Sequence, residues 1–292
     1  MTEFRPSRFQ VLPTVVKNII IINVLMVLLQ FVLGKRGIDL ADYLGLHYFK
    51  SHYFHSWQLI THLFMHGSYD DINQTFWHIF SNMFALWMFG SVLENVWGPK
   101  RFLTFYLICG VGAALCHLGV LHFEYSGIER AFQTYQDNPT VANFDLFLKQ
   151  HVPIPTSNPL AVRLWEFDQK WLQLPEASNG PNESKLMIHQ YLYGIQPNVK
   201  GIFDEATVGA SGAVFGVLFA FGYLFPNTLL YLYFLVPIKA KWIVAAYALF
   251  ELYSGIQNSA GDNIAHFAHL GGMLFAFIIL KIWGRKQRNQ FY

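Results

Sequence analysis

The chain has 292 residues, of which 53% are hydrophobic, 17% aromatic and 13% charged, with a formal net charge of +2 at pH 7. A charged fraction about half that of soluble domains excludes an ordinary soluble globular protein, and so small a net charge gives no basis for nucleic-acid binding. The two cysteines, Cys109 and Cys116, stand seven residues apart in one apolar segment, and no structural disulfide is expected between them.

Apolar segments recur at 18–34, 74–93, 102–123, 207–225, 242–258 and 264–284, each near the roughly twenty residues that a spanning helix needs. They predict an all-α polytopic membrane protein with six transmembrane helices. Arg5, Arg8 and Lys17 precede the first run and Lys35 and Arg36 follow it, which gives it the look of a signal peptide. No small-x-small cleavage site follows it, and it is long enough to span, so it reads as a retained first helix. With the N-terminus cytoplasmic, Lys100, Arg101, Lys239, Lys241, Lys281, Arg285, Lys286 and Arg288 also fall on the cytoplasmic side. The opposite short loops hold only Lys35, Arg36 and Lys50, so this orientation satisfies the positive-inside rule.

The organisation expected is a cytoplasmic segment 1–17, core helices one to three over 18–123, an extracytoplasmic insert 124–205, core helices four to six over 206–284, and a cytoplasmic tail 285–292. The insert is polar and carries Pro153, Pro155, Pro159, Pro175, Pro181 and Pro197, which break any long helix and rule out a seventh span. Its pieces "VANFDLFLK" and "KLMIHQYLY" are amphipathic; solvated helices or helices on the bilayer surface both fit them.

Polar residues inside spans are costly and are therefore functional candidates. Ser211 in the fourth segment, His269 in the sixth, and His78 with Asn82 in the second stand out. Taken singly, each has a structural reading as a helix-packing or interhelical hydrogen-bonding residue. Their spacings agree with one another. Gly212 and Gly216 are four apart, and His269, Gly272 and Ala276 fall at i, i+3 and i+7 on one helical face. Two small-residue grooves permit a close helix contact that would bring Ser211 and His269 within hydrogen-bond reach. A serine hydroxyl is a poor nucleophile until a base takes its proton, so this pair is the minimum set for acyl transfer. His78 and Asn82, four apart on one face, can supply donors to the developing oxyanion. The Ser211 backbone N–H, near a helix N-terminus, can add to them.

Gly209-Ala210-Ser211-Gly212 and Ala268-His269-Leu270-Gly271-Gly272, together with His78 to Asn82, resemble the motifs of the rhomboid intramembrane serine proteases over about 200 residues. That family has six-helix cores, a Ser-His dyad, G-x-S-G on the fourth helix and A-H-x-x-G-x-x-x-G on the sixth. The resemblance implies Ser211 as nucleophile, His269 as base, an oxyanion role for His78 and Asn82, and supporting roles for Gly209, Gly212, Phe215 and Gly272. His266 is the rival base, but only His269 has small residues at +3 and +7. The chain departs from the pattern at Ala276, where the last glycine would stand. Gln58 replaces an arginine after Trp57, and Phe215 replaces a tyrosine whose ring could still stack on His269. Glu94 resembles an acidic residue that ties helix ends together.

The function expected is cleavage of transmembrane segments of single-span or polytopic membrane proteins in the bilayer, with no cofactor, metal or nucleic acid. The sequence leans to a bacterial inner membrane with both termini cytoplasmic. Two alternatives accompany it. A non-catalytic rhomboid-like protein that binds membrane clients would lack the serine or the histidine. A zinc protease built on His62 and His66 would need a glutamate where Leu63 stands.

Overall fold

The computed structural model describes residues 9–154, 158–173, 179–195, 199–232, 236–257 and 266–288. Arg5, Arg8, Pro155, Pro175 and Pro197 lie outside the described residues, as do the side chains of Arg285, Lys286 and Arg288. In chain order the long helices are α1 (Thr14–Gly34), α2 (Ile72–Trp97, with one π turn at Leu86–Gly90) and α3 (Pro99–Asp137). After them come α4 (Val141–His151), α5 (Pro159–Gln173), α6 (Gly180–Tyr193) and α7 (Ser211–Leu224). A two-stranded antiparallel hairpin follows, β1 (Leu229–Leu232) on β2 (Val236–Lys239), and then α8 (Ala240–Gln257) and α9 (His266–Arg288).

Each of the six apolar segments therefore forms a helix. Four of them, Thr14–Gly34, Ile72–Trp97, Pro99–Asp137 and His266–Gly284, are long and apolar enough to cross a membrane; Ser211–Leu224 is apolar but shorter. This is a mostly helical polytopic membrane protein. Two boundaries move for local reasons. The third helix runs on past residue 123 to Asp137, because no breaker interrupts it before Asn138-Pro139. The fourth begins at Ser211 rather than Thr207, because Gly209 sits at φ +131°, which no helix accommodates. The hairpin falls between the fourth and fifth apolar segments, a stretch the sequence reading leaves as a connection; the aromatic and β-branched residues of its strands suit pairing.

The chain divides into two compact units. The first comprises residues 1–46, 56–117 and 207–292, and its core gathers residues including Val16, Leu63, Leu86, Phe102, Phe105, Ala213, Val217 and Ala276. Glu94, 3% exposed near the end of α2, accepts the Val15 N–H at 2.9 Å and the Val16 N–H at 2.8 Å. It thereby caps two of the unpaired donors in the first turn of α1, which is the tie between helix ends that the sequence suggested. The single helical turn Gln58–Thr61 is held without the missing arginine: Trp57 Nε1 donates to the Tyr43 carbonyl at 3.0 Å, and Thr61 Oγ1 to the Leu44 carbonyl at 2.7 Å. Cys109 and Cys116 are both free thiols.

The second unit comprises residues 47–55 and 118–206. "VANFDLFLK" lies within α4 and "KLMIHQYLY" within α6, but the segment is more than a set of solvated helices. Phe132, Tyr135, Phe144, Phe147, Leu164, Trp171, Ile188 and Phe203 share one buried core. Pro159 starts α5 rather than breaking a helix, as proline does at a first helical position. Tyr135 and Ser184 share a buried hydroxyl hydrogen bond at 2.5 Å, and Glu129 accepts from Lys50 at 2.6 Å and from Tyr193 at 2.9 Å.

Loss of the Glu94 cap has a measurable cost. Two charge-assisted hydrogen bonds at a buried helix start imply that Glu94→Ala destabilises the protein by about 2–3 kcal/mol. Thermal unfolding in a single detergent should show the drop, with Glu94→Gln intermediate; a Glu94→Ala protein as stable as wild type would mean that the carboxylate does not hold the helix start.

Candidate active site

The backbone ahead of α7 is fixed before the helix begins. Thr207 and Leu46 exchange two backbone hydrogen bonds at 2.8 and 2.9 Å, Thr207 Oγ1 is bonded to His117 Nε2 at 2.7 Å, and the Gly209 N–H donates to the His62 carbonyl at 3.0 Å. Gly209 then turns through φ +131°. A side chain at this position is excluded twice, by that dihedral and because its Cβ would lie 2.9 Å from His78 Nε2. The same point is 3.6 Å from Ser211 Oγ, so the His78 imidazole and the Ser211 hydroxyl flank a bare glycine backbone. Ser211 is the first residue of α7, where the backbone N–H groups have no partner within the helix and the helix dipole is positive.

Next, α7 meets α9 at backbone distance. A Cβ at Gly272 would overlap the Gly212 carbonyl oxygen, and one at Gly216 would stand 3.1 Å from the Gly272 carbonyl oxygen. On its other side Gly212 faces Ala113 of α3, whose methyl an added Cβ would strike. The small residues read from the sequence thus form the contact between these helices. His269, on α9, is buried and stacks on Phe215 of α7, with ring centroids 4.2 Å apart and planes 4° from parallel. Stacking therefore survives the loss of the tyrosine hydroxyl.

One partner of His269 was not expected. Its Nδ1 lies 2.9 Å from Glu251 Oε2, and His266 Nδ1 lies 2.6 Å from the same oxygen. All three residues are buried, and their ligand-type atoms fall within 4.8 Å of one another, a set that can in principle hold a metal ion. The hydrogen bonds already account for the cluster. A lone carboxylate in the apolar segment 242–258 was the available signal; its partners lie on another helix, at a distance that spacing does not reveal.

Asn82 is buried one turn beyond His78 and donates its Nδ2 to the His78 carbonyl at 2.8 Å, which leaves its second amide hydrogen uncommitted by that bond. The His78 and His66 rings pack at a steep angle, centroids 5.1 Å apart and planes 77° from parallel. His62 is bonded through Nδ1 to the Gln58 carbonyl at 2.7 Å, and His66 through Nε2 to Asn23 Oδ1 at 2.7 Å. Among the described residues, these two histidines join no group of three metal-ligating side chains.

The glycine contact carries a prediction of its own. In Gly272→Ala the new methyl meets a backbone carbonyl that cannot swing aside, so α7 and α9 must separate at a cost of about 3 kcal/mol or more. Gly284, on the same helix, has nothing within 4 Å of the place a methyl would take, and Gly284→Ala should be neutral or stabilising by up to ~1 kcal/mol. Paired thermal unfolding curves check this; equal effects of the two substitutions would contradict the close contact.

Three comparisons with known proteins bear on this geometry. The Rhomboid domain family matches residues 53–127 and 186–286, more than half of the chain, with His78, Asn82, Ser211, Glu251 and His269 among them. An uncharacterized rhomboid protein of Schizosaccharomyces pombe, named as mitochondrial, is 27% identical over 236 residues, covering 79% of this chain and 52% of its own length. The chain thus spans about half the length of the curated relative it matches. No solved structure matches it. Motifs, helix contacts and family match agree: the chain belongs to the rhomboid family.

Proposed function

We propose that this chain is an intramembrane serine endopeptidase that cleaves transmembrane segments of single-span or polytopic membrane proteins. The observation that carries the reading is the joint placement of Ser211 at the start of α7 and His269 on α9, across a glycine contact that admits no side chain. His269 Nε2 takes the hydroxyl proton as Ser211 Oγ bonds to the scissile carbonyl carbon. Negative charge gathers on the carbonyl oxygen, near the Ser211 N–H, His78 Nε2 and the amide of Asn82. Collapse breaks the C–N bond as His269 returns the proton to the leaving nitrogen, and water repeats the cycle on the acyl-enzyme. The chemistry needs no cofactor.

Family membership covers members that bind clients without cutting them, and the curated relative is uncharacterized. What favours an enzyme over that alternative is the presence of both Ser211 and His269, held on facing helices. A multi-pass membrane protein is what the family supports. The bacterial inner membrane expected from the sequence finds no support in a relative named as mitochondrial; the charge distribution supports a side of the membrane, not an organelle. By the same charge argument we place the segment 124–205 on the extracytoplasmic side.

Purified wild-type protein should cut a panel of single-span model substrates, and Ser211→Ala and His269→Ala should each abolish cutting while remaining folded. The double variant should be no worse than either single one, since the two act as a unit. Asn82→Ala should lower kcat by about a hundred- to a thousand-fold, roughly 2.7–4 kcal/mol, with little change in KM. Chelators should leave the rate unchanged. Wild-type turnover by folded Ser211→Ala sinks the proposal, and His266→Ala as inactive as His269→Ala reassigns the base.

A further inference from the structure

We infer that Glu251 is a positioning residue for the base, so that this chain works with a Ser-His-Glu relay in place of a bare dyad. The inference rests on the proteolytic reading above and deepens it. On α8 the buried residues are Ala240, Val244 and Glu251, while Leu249, Phe250, Leu252 and Tyr253 on either side of the glutamate are exposed. An inward-facing carboxylate on an otherwise apolar membrane helix is costly and persists where it has a defined partner. Here it has two, His269 at 2.9 Å and His266 at 2.6 Å, both on Oε2.

The geometry has three chemical consequences. A carboxylate only accepts, so the proton on His269 sits on Nδ1 and the lone pair sits on Nε2, the nitrogen required to deprotonate Ser211. The bond to Glu251 fixes the ring at one edge and the Phe215 face fixes its plane, so the direction of Nε2 is determined by two elements, α7 and α8, that do not carry it. When Nε2 receives the Ser211 proton, the Nδ1 proton stays where it is, and the carboxylate balances the imidazolium charge in a site with little water to do so. His266, one turn before His269 on α9, donates to the same oxygen and holds the carboxylate in place from the second side. A purely structural tie between α8 and α9 needs the same tautomer, but neither the carboxylate charge nor an effect on kcat.

The test uses the full chain and compares wild type with Glu251→Gln and Glu251→Asp. Glutamine keeps the shape and an acceptor but loses the charge; aspartate keeps the charge on a shorter arm. We expect Glu251→Gln to stay folded, to hold KM within about threefold, and to lose kcat by roughly 10³- to 10⁴-fold, by analogy with removal of the acid from serine protease triads. Glu251→Asp should recover at least about tenfold of that loss. Should Glu251→Gln not fold, Glu251→Asp and nitrogen-15 spectra of histidine-labelled wild type decide the matter: a folded Glu251→Asp with lowered kcat and unchanged KM, together with a ring proton on Nδ1 of His269, assigned by its loss in His269→Ala, supports the relay. A ring proton on Nε2 overturns it, as does Glu251→Gln with wild-type kcat, or a loss that follows only the folded fraction. A folded wild type that cuts no membrane span takes down the proteolytic reading and this inference together. An active wild type indifferent to Glu251 takes down this one alone.

Discussion

Everything at this site depends on how closely two helix backbones approach. The Gly272 Cα faces the Gly212 carbonyl at a distance where no methyl fits, and Gly216 repeats the approach one turn further along α7. In a membrane, burial of apolar surface does little to hold helices together, because lipid is as apolar as the side chains; close packing and polar contacts between helices have to do it. On the reading proposed above, that same approach is what would let a short serine on one helix and an imidazole on the other share one reaction volume. With larger residues at these positions, the helices would stand farther apart.

Around that contact, the remaining parts are each held from outside the helix that carries them. Gly209 is hung from the His62 carbonyl, Thr207 from Leu46 and His117, and the His269 ring lies between Phe215 and Glu251. A residue at a helix start needs such support, because the segment before it has no helical ladder of its own. The histidines that looked like zinc ligands belong to this scaffolding: the His62 backbone fixes the Gly209 turn, and His66 joins Asn23 of α1 to the ring of His78.

Much of this was legible in the sequence, for identifiable reasons. The spans could be read because roughly twenty apolar residues in a row have few other uses, and the contact of Gly212 with Gly272 because their spacing carries helical period and small size together. Glu251 was not legible. A single carboxylate in the run 242–258 looks like an impurity in a span, and the residues it binds come from another helix across a stretch that gives no register. The insert was half legible: two amphipathic pieces were visible, but α5 was hidden by Pro159, read as a breaker where it is a helix start. The shared core of that unit was hidden too, because its aromatics, Phe132, Phe144, Trp171 and Phe203, are scattered among polar neighbours.

The central claim is that Ser211 is an activated nucleophile, and the most direct measurement of that is covalent. Purified protein in detergent would be treated with a fluorophosphonate probe, digested, and the modified residue identified by mass spectrometry, in wild type and in His269→Ala. We expect one major adduct, on Ser211, that forms slowly or not at all without His269. A label on another residue, or a Ser211 adduct that forms equally fast in His269→Ala, would contradict it.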